Sequence, residues 1–158
     1  MKKSLLSLLL CLSLCCSGCS ATQVKDRLYL QSLELSNYRY PTVQLHAFQS
    51  EEADCSGSGS TLSAALESAE IPAGKSLFLG HLELLALQEP EFLQQLPDLL
   101  QQYRLSSGCK LLYTTRSLAA VNTETLLESL KQEEQNGRMP KTDLLSILKE
   151  RCNSSETA

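Results

Sequence analysis

The chain contains no tryptophan, only two histidines and two methionines, and aromatic residues make up 5% of it. With just His46 and His81 available, and no clustered cysteine or histidine pair, neither a metal site nor a cofactor is expected. Positive charge is scarce as well. Fourteen lysines and arginines stand against 18 acidic residues, for a net charge of −4. No basic stripe is left for nucleic acid or for anionic lipid headgroups. Catalytic signatures are also missing. The Ser/Gly run at residues 56–60 lacks the lysine of a phosphate-binding loop, and Gly57-Ser58-Gly59 is too tight and follows too polar a stretch to be a nucleophile elbow. No enzymatic activity is expected.

The first twenty residues carry the clearest signal. Lys2 and Lys3 precede a leucine-rich run over residues 5–14 that is too short to remain as a membrane span. Ser17-Gly18-Cys19 follows, two small residues and a thiol able to carry a thioether-linked diacylglycerol. This pattern resembles a bacterial lipobox, which implies a signal peptide over residues 1–18, lipidation of Cys19 and a short tether over residues 19–26. Cys16 stands where a lipobox favours leucine, leaving ordinary cleavage after Ala21 as the alternative. Two acyl chains would anchor the protein stably to the bilayer, because each buried methylene contributes about 0.8 kcal/mol and a single chain is only marginal.

Cys11, Cys15 and Cys16 depart with the signal, so the folded part holds Cys55, Cys109 and Cys152. Three thiols cannot all pair within the chain, and their spacing matches neither a disulfide framework nor a redox pair. Two outcomes stay open: one disulfide, with Cys55 and Cys109 as the candidate pair, or three unpaired thiols.

Removal of the signal leaves chain enough for one domain. Residues 28–35 read as a strand whose apolar phase slips between Leu30 and Leu33, implying a bulge. After a turn at residues 37–41, the alternation of Val43, Leu45 and Ala47 predicts an antiparallel partner strand with His46 on its more polar face. Residues 56–60 read as a flexible segment ending in a helix cap at Gly59 and Ser60. Leu62, Ala65, Leu66 and Ala69 then follow helical spacing, stopped by Pro72 and Gly74. Residues 77–87 are nearly all apolar and read as one buried central strand. Pro90 and Pro97 fit helix starts, with Phe92, Leu93, Leu96, Leu99, Leu100 and Tyr103 facing inward. Another strand is expected over residues 110–115. Helices should follow, one capped by Asn122 with Leu126, Leu127 and Leu130 inward, and a last one carrying Leu144, Leu145 and Leu148, before a disordered tail over residues 152–158. The order predicts a mixed α/β, or α+β, domain over residues 27–151: a small sheet with an antiparallel N-terminal hairpin, helices packed on it and a helical C-terminal part.

Gly18-Cys19, Asp26-Arg27, the stretch from Gly59 to Leu66 and Phe78-Leu79-Gly80-His81 occur in an order that resembles the N-terminal domain of the Ger(x)C spore germination lipoproteins, the C subunits of germinant receptors. The likeness extends to Lys141-Thr142-Asp143-Leu144-Leu145, and so covers nearly the whole mature chain. Ser20 replaces the aromatic residue that often follows the lipid cysteine, and residues 105–108 replace a charged Asp-Pro turn. Two further domains usually follow in that family, so the likeness is to its first domain alone. The resemblance implies a role in spore germination through protein–protein contact with integral membrane receptor subunits, at the outer face of the cytoplasmic or spore inner membrane.

His81 follows Gly80 at the head of an apolar stretch, where an imidazole that hydrogen-bonds a carbonyl would fix a turn. Gly59, Ser60, Gly80 and His81 are therefore expected to be structural turn and cap residues. The alternative is an envelope lipoprotein that binds a small ligand, or acts as an enzyme, through the Gly59 and His81 region.

Overall fold

The computed structural model describes residues 26–48 and 54–155. The signal peptide, Cys19, most of the tether and the last three residues lie outside the described residues, as does the side chain of Cys152. The domain is α+β, built on a mixed sheet.

Strand β1 (Arg27–Ser36) is the spine of that sheet. Strand β2 (Thr42–Ala47) pairs antiparallel with it, Leu35 opposite Val43 and Ser32 opposite His46, and the register shifts between Leu30 and Ser32. The expected hairpin and its bulge are thus both present. Asn37 turns the chain between the two strands with a φ of 55°. That left-handed conformation is one asparagine tolerates better than most residues.

Residues 56–60 correct the sequence reading. Most of the run belongs to a third strand, β3 (Cys55–Ser58), antiparallel to β2 with Leu45 opposite Cys55 and Thr42 opposite Ser58. Glycine serves here as a gap and not as a hinge. A Cβ at Gly57 would collide with the Ala65 carbonyl and the Ala69 amide of the following helix, α1 (Leu62–Ala73). One at Gly59 would lie 2.7 Å from the Cβ of Ala64. Leu62, Ala65, Leu66 and Ala69 are all buried, and small residues on both sides let helix and strand backbones touch. The cap is Thr61, not Ser60: its side chain accepts a hydrogen bond from the Ala64 amide at 3.2 Å. Gly74 closes the helix at a φ of 61°, while Pro72 lies within its last turn.

The expected strand over residues 77–87 is two strands. β4 (Ser76–Phe78) runs parallel to Arg27–Tyr29, and β5 (Leu84–Leu87) parallel to Ser32–Leu35. Between them the chain leaves the sheet in a turn closed by Leu82 N–H donating to the Leu79 carbonyl at 3.0 Å. It returns where Glu83 N–H donates to the Gln31 carbonyl, also at 3.0 Å. The interruption lies at the level where β1 itself slips register. The central position foreseen for this stretch belongs to β5, whose four residues are all buried.

A 3₁₀ helix (Pro90–Gln95) leads into α2 (Leu96–Tyr103), each opening on a proline as expected. Strand β6 (Lys110–Tyr113) then adds parallel to β5, giving the order β3-β2-β1-β5-β6 with β4 beside β1. Helix α3 (Thr123–Gln135) is capped by Asn122, and α4 (Leu144–Ser155) ends the described chain. Residues 152–155, expected to be disordered, continue this helix. Leu144 is buried, whereas Leu145 is exposed, and Ile147 takes the inward position instead.

Both sheet faces are covered. Leu33, Leu35, Val43, Leu45, Leu85, Leu87 and Leu111 form the larger core with α1, α2 and α4. Leu84 and Ala86 face the other way, onto Leu118, Leu127 and Leu130. Among the described residues no helix is long and apolar enough to cross a membrane.

Candidate functional site

The residues on which the sequence reading centred prove to be packing residues. Phe78 carries the Arg27 guanidinium 5.3 Å above its ring, lies 5.2 Å from Tyr29 and 5.4 Å from the imidazole of His81. Gly80 leans on the same ring, so that a Cβ there would come within 2.9 Å of Phe78 Cζ. His81 is exposed on the rim of this cluster. The expected imidazole-to-carbonyl bond is replaced by a backbone bond across the turn and by aromatic contact.

Gly59 and His81 do not form one site. Gly59 donates its N–H to the Pro41 carbonyl, beside the C-terminal end of β1, whereas His81 lies by Tyr29, near its start. About six residues of extended strand, roughly 20 Å, separate the two levels. The Gly59 and His81 region named in the alternative reading is thus two separate places in the fold.

The cysteines are separated just as firmly. Cys55 opens the edge strand β3, while Cys109 immediately precedes the opposite edge strand β6. Four strand spacings of about 4.8 Å lie between them, against a Cα separation of at most about 7 Å for a disulfide. Cys55 and Cys109 are both buried, and no bridge joins them. Burial, reinforced by the charge of Glu83, pushes the Cys109 thiol up to about 12, so it stays protonated and is a poor nucleophile. A hollow of about 280 Å³ beside it, edged by His81, Glu83 and Lys131, thus holds no activated sulfur.

His46 has a partner that the sequence does not announce: its Nδ1 lies 2.9 Å from the Asp54 carboxylate. Its Nε2 is buried and unpaired among the described residues, so no nucleophile completes a relay. Among the described residues, no three histidine, cysteine, aspartate or glutamate side chains converge as metal ligands would.

No family model, no curated protein and no solved structure matches this chain. Its chemistry has to be read from the side chains themselves.

Two features escaped the sequence reading. Glu34, in the middle of β1, is 3% exposed. Its carboxylate accepts from the Leu118 amide at 2.9 Å, from the Ser117 hydroxyl at 3.1 Å and from the Gln88 side chain. It fastens the loop before α3 to the sheet. The other feature is a cleft of about 490 Å³ where the β1–β2 turn, the N-terminus of α1 and helix α2 meet. Tyr38 and Tyr103 are among its walls, Tyr38 braced edge-on against Phe92 at 5.3 Å and Tyr103 with its hydroxyl 3.4 Å from that of Ser63. Arg39 and Asp98 line it too, and among the described residues neither makes an ion pair. Gln95 also borders it, and its side-chain oxygen is buried with no hydrogen-bond partner among the described residues. An arginine in a turn and an aspartate in a helix's first turn look like ordinary surface charges in sequence. Only the fold places them in one cleft.

Proposed function

We propose that the chain is a non-enzymatic, lipid-anchored domain that acts in spore germination by contacting membrane-embedded receptor subunits. It resembles the first domain of a germinant-receptor C subunit. The observation that carries this reading is where the quoted motifs lie. Arg27 opens β1 and stacks on the ring of Phe78 at the end of β4, Gly80 in the turn after it leans on the same ring, and Gly59 to Leu66 form the close-packed entry into α1. Motif residues that hold a fold together are what a recognition domain requires; an enzyme signature would gather reactive groups.

The mechanism is positional. A lipid on Cys19 would hold the domain at the bilayer surface through a tether of about seven residues, raising its effective concentration beside membrane partners so that a modest interface suffices. The test is genetic and chemical together. Deleting the gene in its own spore-forming host should slow the germination response, and cross-linking in spore membranes should join the wild-type chain to multi-spanning proteins encoded nearby. Unchanged germination in the deletion strain, with no such adduct, would overturn the proposal.

A further inference from the structure

We infer that the end of the domain where β1 begins lies on the bilayer, with the exposed side chains of Phe48 and Ile71 entering the lipid interface. The inference rests on the lipid anchor at Cys19 and adds to it which end of the fold meets the membrane. Several chain segments gather at that end. Asp26 hands the chain to β1 at Arg27, Ser76 of β4 pairs with Arg27, and the Phe48 amide, just beyond β2, donates to the Tyr29 carbonyl at 3.2 Å. The last turn of α1 is there too, since only Gly74 and Lys75 separate Ala73 from β4.

Two large apolar side chains are left in the open at this end. Phe48 is 44% exposed and Ile71 83%, with Pro72 exposed beside it. Tyr29 and Phe78 lie 5.2 Å apart at the same end, with the Arg27 guanidinium over the Phe78 ring. Aromatic rings, and cations whose stems run along apolar surface, are the groups that settle at the level of lipid headgroups. Chain length decides which end the lipid reaches. Seven residues separate Cys19 from Arg27, a span of at most about 25 Å when fully extended. The start of β1 is therefore always within reach of the surface, whereas the turn at residues 37–41 lies roughly 30 Å further along the strand. Charge gives no reason to require anionic lipid, because exposed Asp26 adjoins Arg27 and the chain is acidic as a whole. The contact is apolar, and a neutral bilayer suffices.

The absence of tryptophan supplies the test, because Phe48→Trp, Ile71→Trp and Tyr40→Trp each carry a single fluorescent reporter. Tyr40, 53% exposed in the turn between β1 and β2, marks the opposite end. Each full, lipidated chain is reconstituted at high lipid excess into phosphatidylcholine vesicles, with and without bromine on the acyl chains, and circular dichroism melts confirm the fold. Emission from positions 48 and 71 should move to shorter wavelength on reconstitution. Brominated chains should quench it at least about twofold, as befits side chains lying about 5–10 Å into the boundary between headgroups and acyl chains. The reporter at position 40 should be unaffected. Either of the first two reporters decides alone if the other variant does not fold. Unquenched emission at 48 and 71, in a chain that floats with the vesicles and carries its fatty acid by mass spectrometry, would overturn the inference and leave the anchor standing. Equal quenching at position 40 would overturn it as well, since the domain would then have no preferred end. A chain without fatty acid that does not float would overturn the anchor and the inference together.

Discussion

Gly57 sits where the backbone of β3 meets the backbone of α1, and any side chain there must displace one of them. Gly57→Ala should therefore cost about 3 kcal/mol, at the upper end of overpacking penalties, while Ser58→Ala next door, on the exposed face, should cost almost nothing. Thermal unfolding of the two variants checks this, and equal melting temperatures would show that helix and strand can separate freely. Glu34 makes the opposite argument, because here a side chain is indispensable. Removing its carboxylate leaves the Leu118 amide and the Gln88 amide group without their acceptor in a buried place. Glu34→Ala should thus destabilise by about 3 kcal/mol, and Glu34→Gln by less, since one acceptor oxygen remains. Urea unfolding measures both, and a neutral Glu34→Ala would mean that the loop over residues 114–122 is not pinned. Neither role could be read from the sequence. Gly57 lies among serines and glycines that suggest flexibility, and Glu34 between two leucines looks like the solvent face of a half-buried strand.

At the scale of elements, the junction of β6, α3 and α4 rests on one carboxylate. Glu134 at the end of α3 accepts from Lys110 Nζ at 2.6 Å, from the Thr142 hydroxyl at 2.6 Å and from the Thr142 amide at 2.8 Å. Burial alone would raise its titration point, but the hydrogen bonds from Lys110 and Thr142 outweigh it and hold the carboxyl down at about 2, from an ordinary 4.5. Asp143 is affected in the same direction: burial is outweighed by the bonds that its carboxylate accepts from Ser146 and by the charge of Lys110. Because the folded state holds Glu134 below its unfolded value, this contribution is full above about pH 4.5 and is lost as pH falls from there towards 2. Urea midpoints taken at pH 6, 4.5, 3 and 2 should fall for the wild type across that window and fall less for Glu134→Gln. Parallel curves would contradict the assignment. Elements with local signals were legible: the apolar stripe of α1, the Asn122 cap, the prolines that open the two helices after β5. The break between β4 and β5 was not, because leucines on both sides of the Gly80 turn keep the composition of one continuous strand. What divides them is the register slip of β1, a non-local partner.

The whole molecule is a sheet with helices over one face and a helix with a loop over the other. That second cover explains why half of the site chemistry was invisible beforehand. A hairpin with one solvated face would leave Ser32, Glu34 and His46 in water, whereas here Ser32 and Glu34 are buried and His46 is largely so. The fold class followed from periodicity and turn residues, whereas β3, the break between β4 and β5 and the length of the last helix did not. The cleft did not, since its walls come from residues near 38, 62 and 98, and only tertiary structure relates those distances. The same holds for the cysteines: their number left a Cys55–Cys109 bridge open, and the strand order excludes that pair.

The central claim is that this domain works at a membrane surface as a partner and not as a catalyst. Complementation of a deletion strain tests it most directly, comparing the wild-type gene with Cys19→Ala and His81→Gln and following the optical-density loss of germinating spores. The account predicts that wild type and His81→Gln restore the germination rate, whereas Cys19→Ala, present at equal amount but without a fatty-acid label, does not. Full restoration by the unlipidated Cys19→Ala protein, or complete failure of a stable, anchored His81→Gln protein, would contradict it.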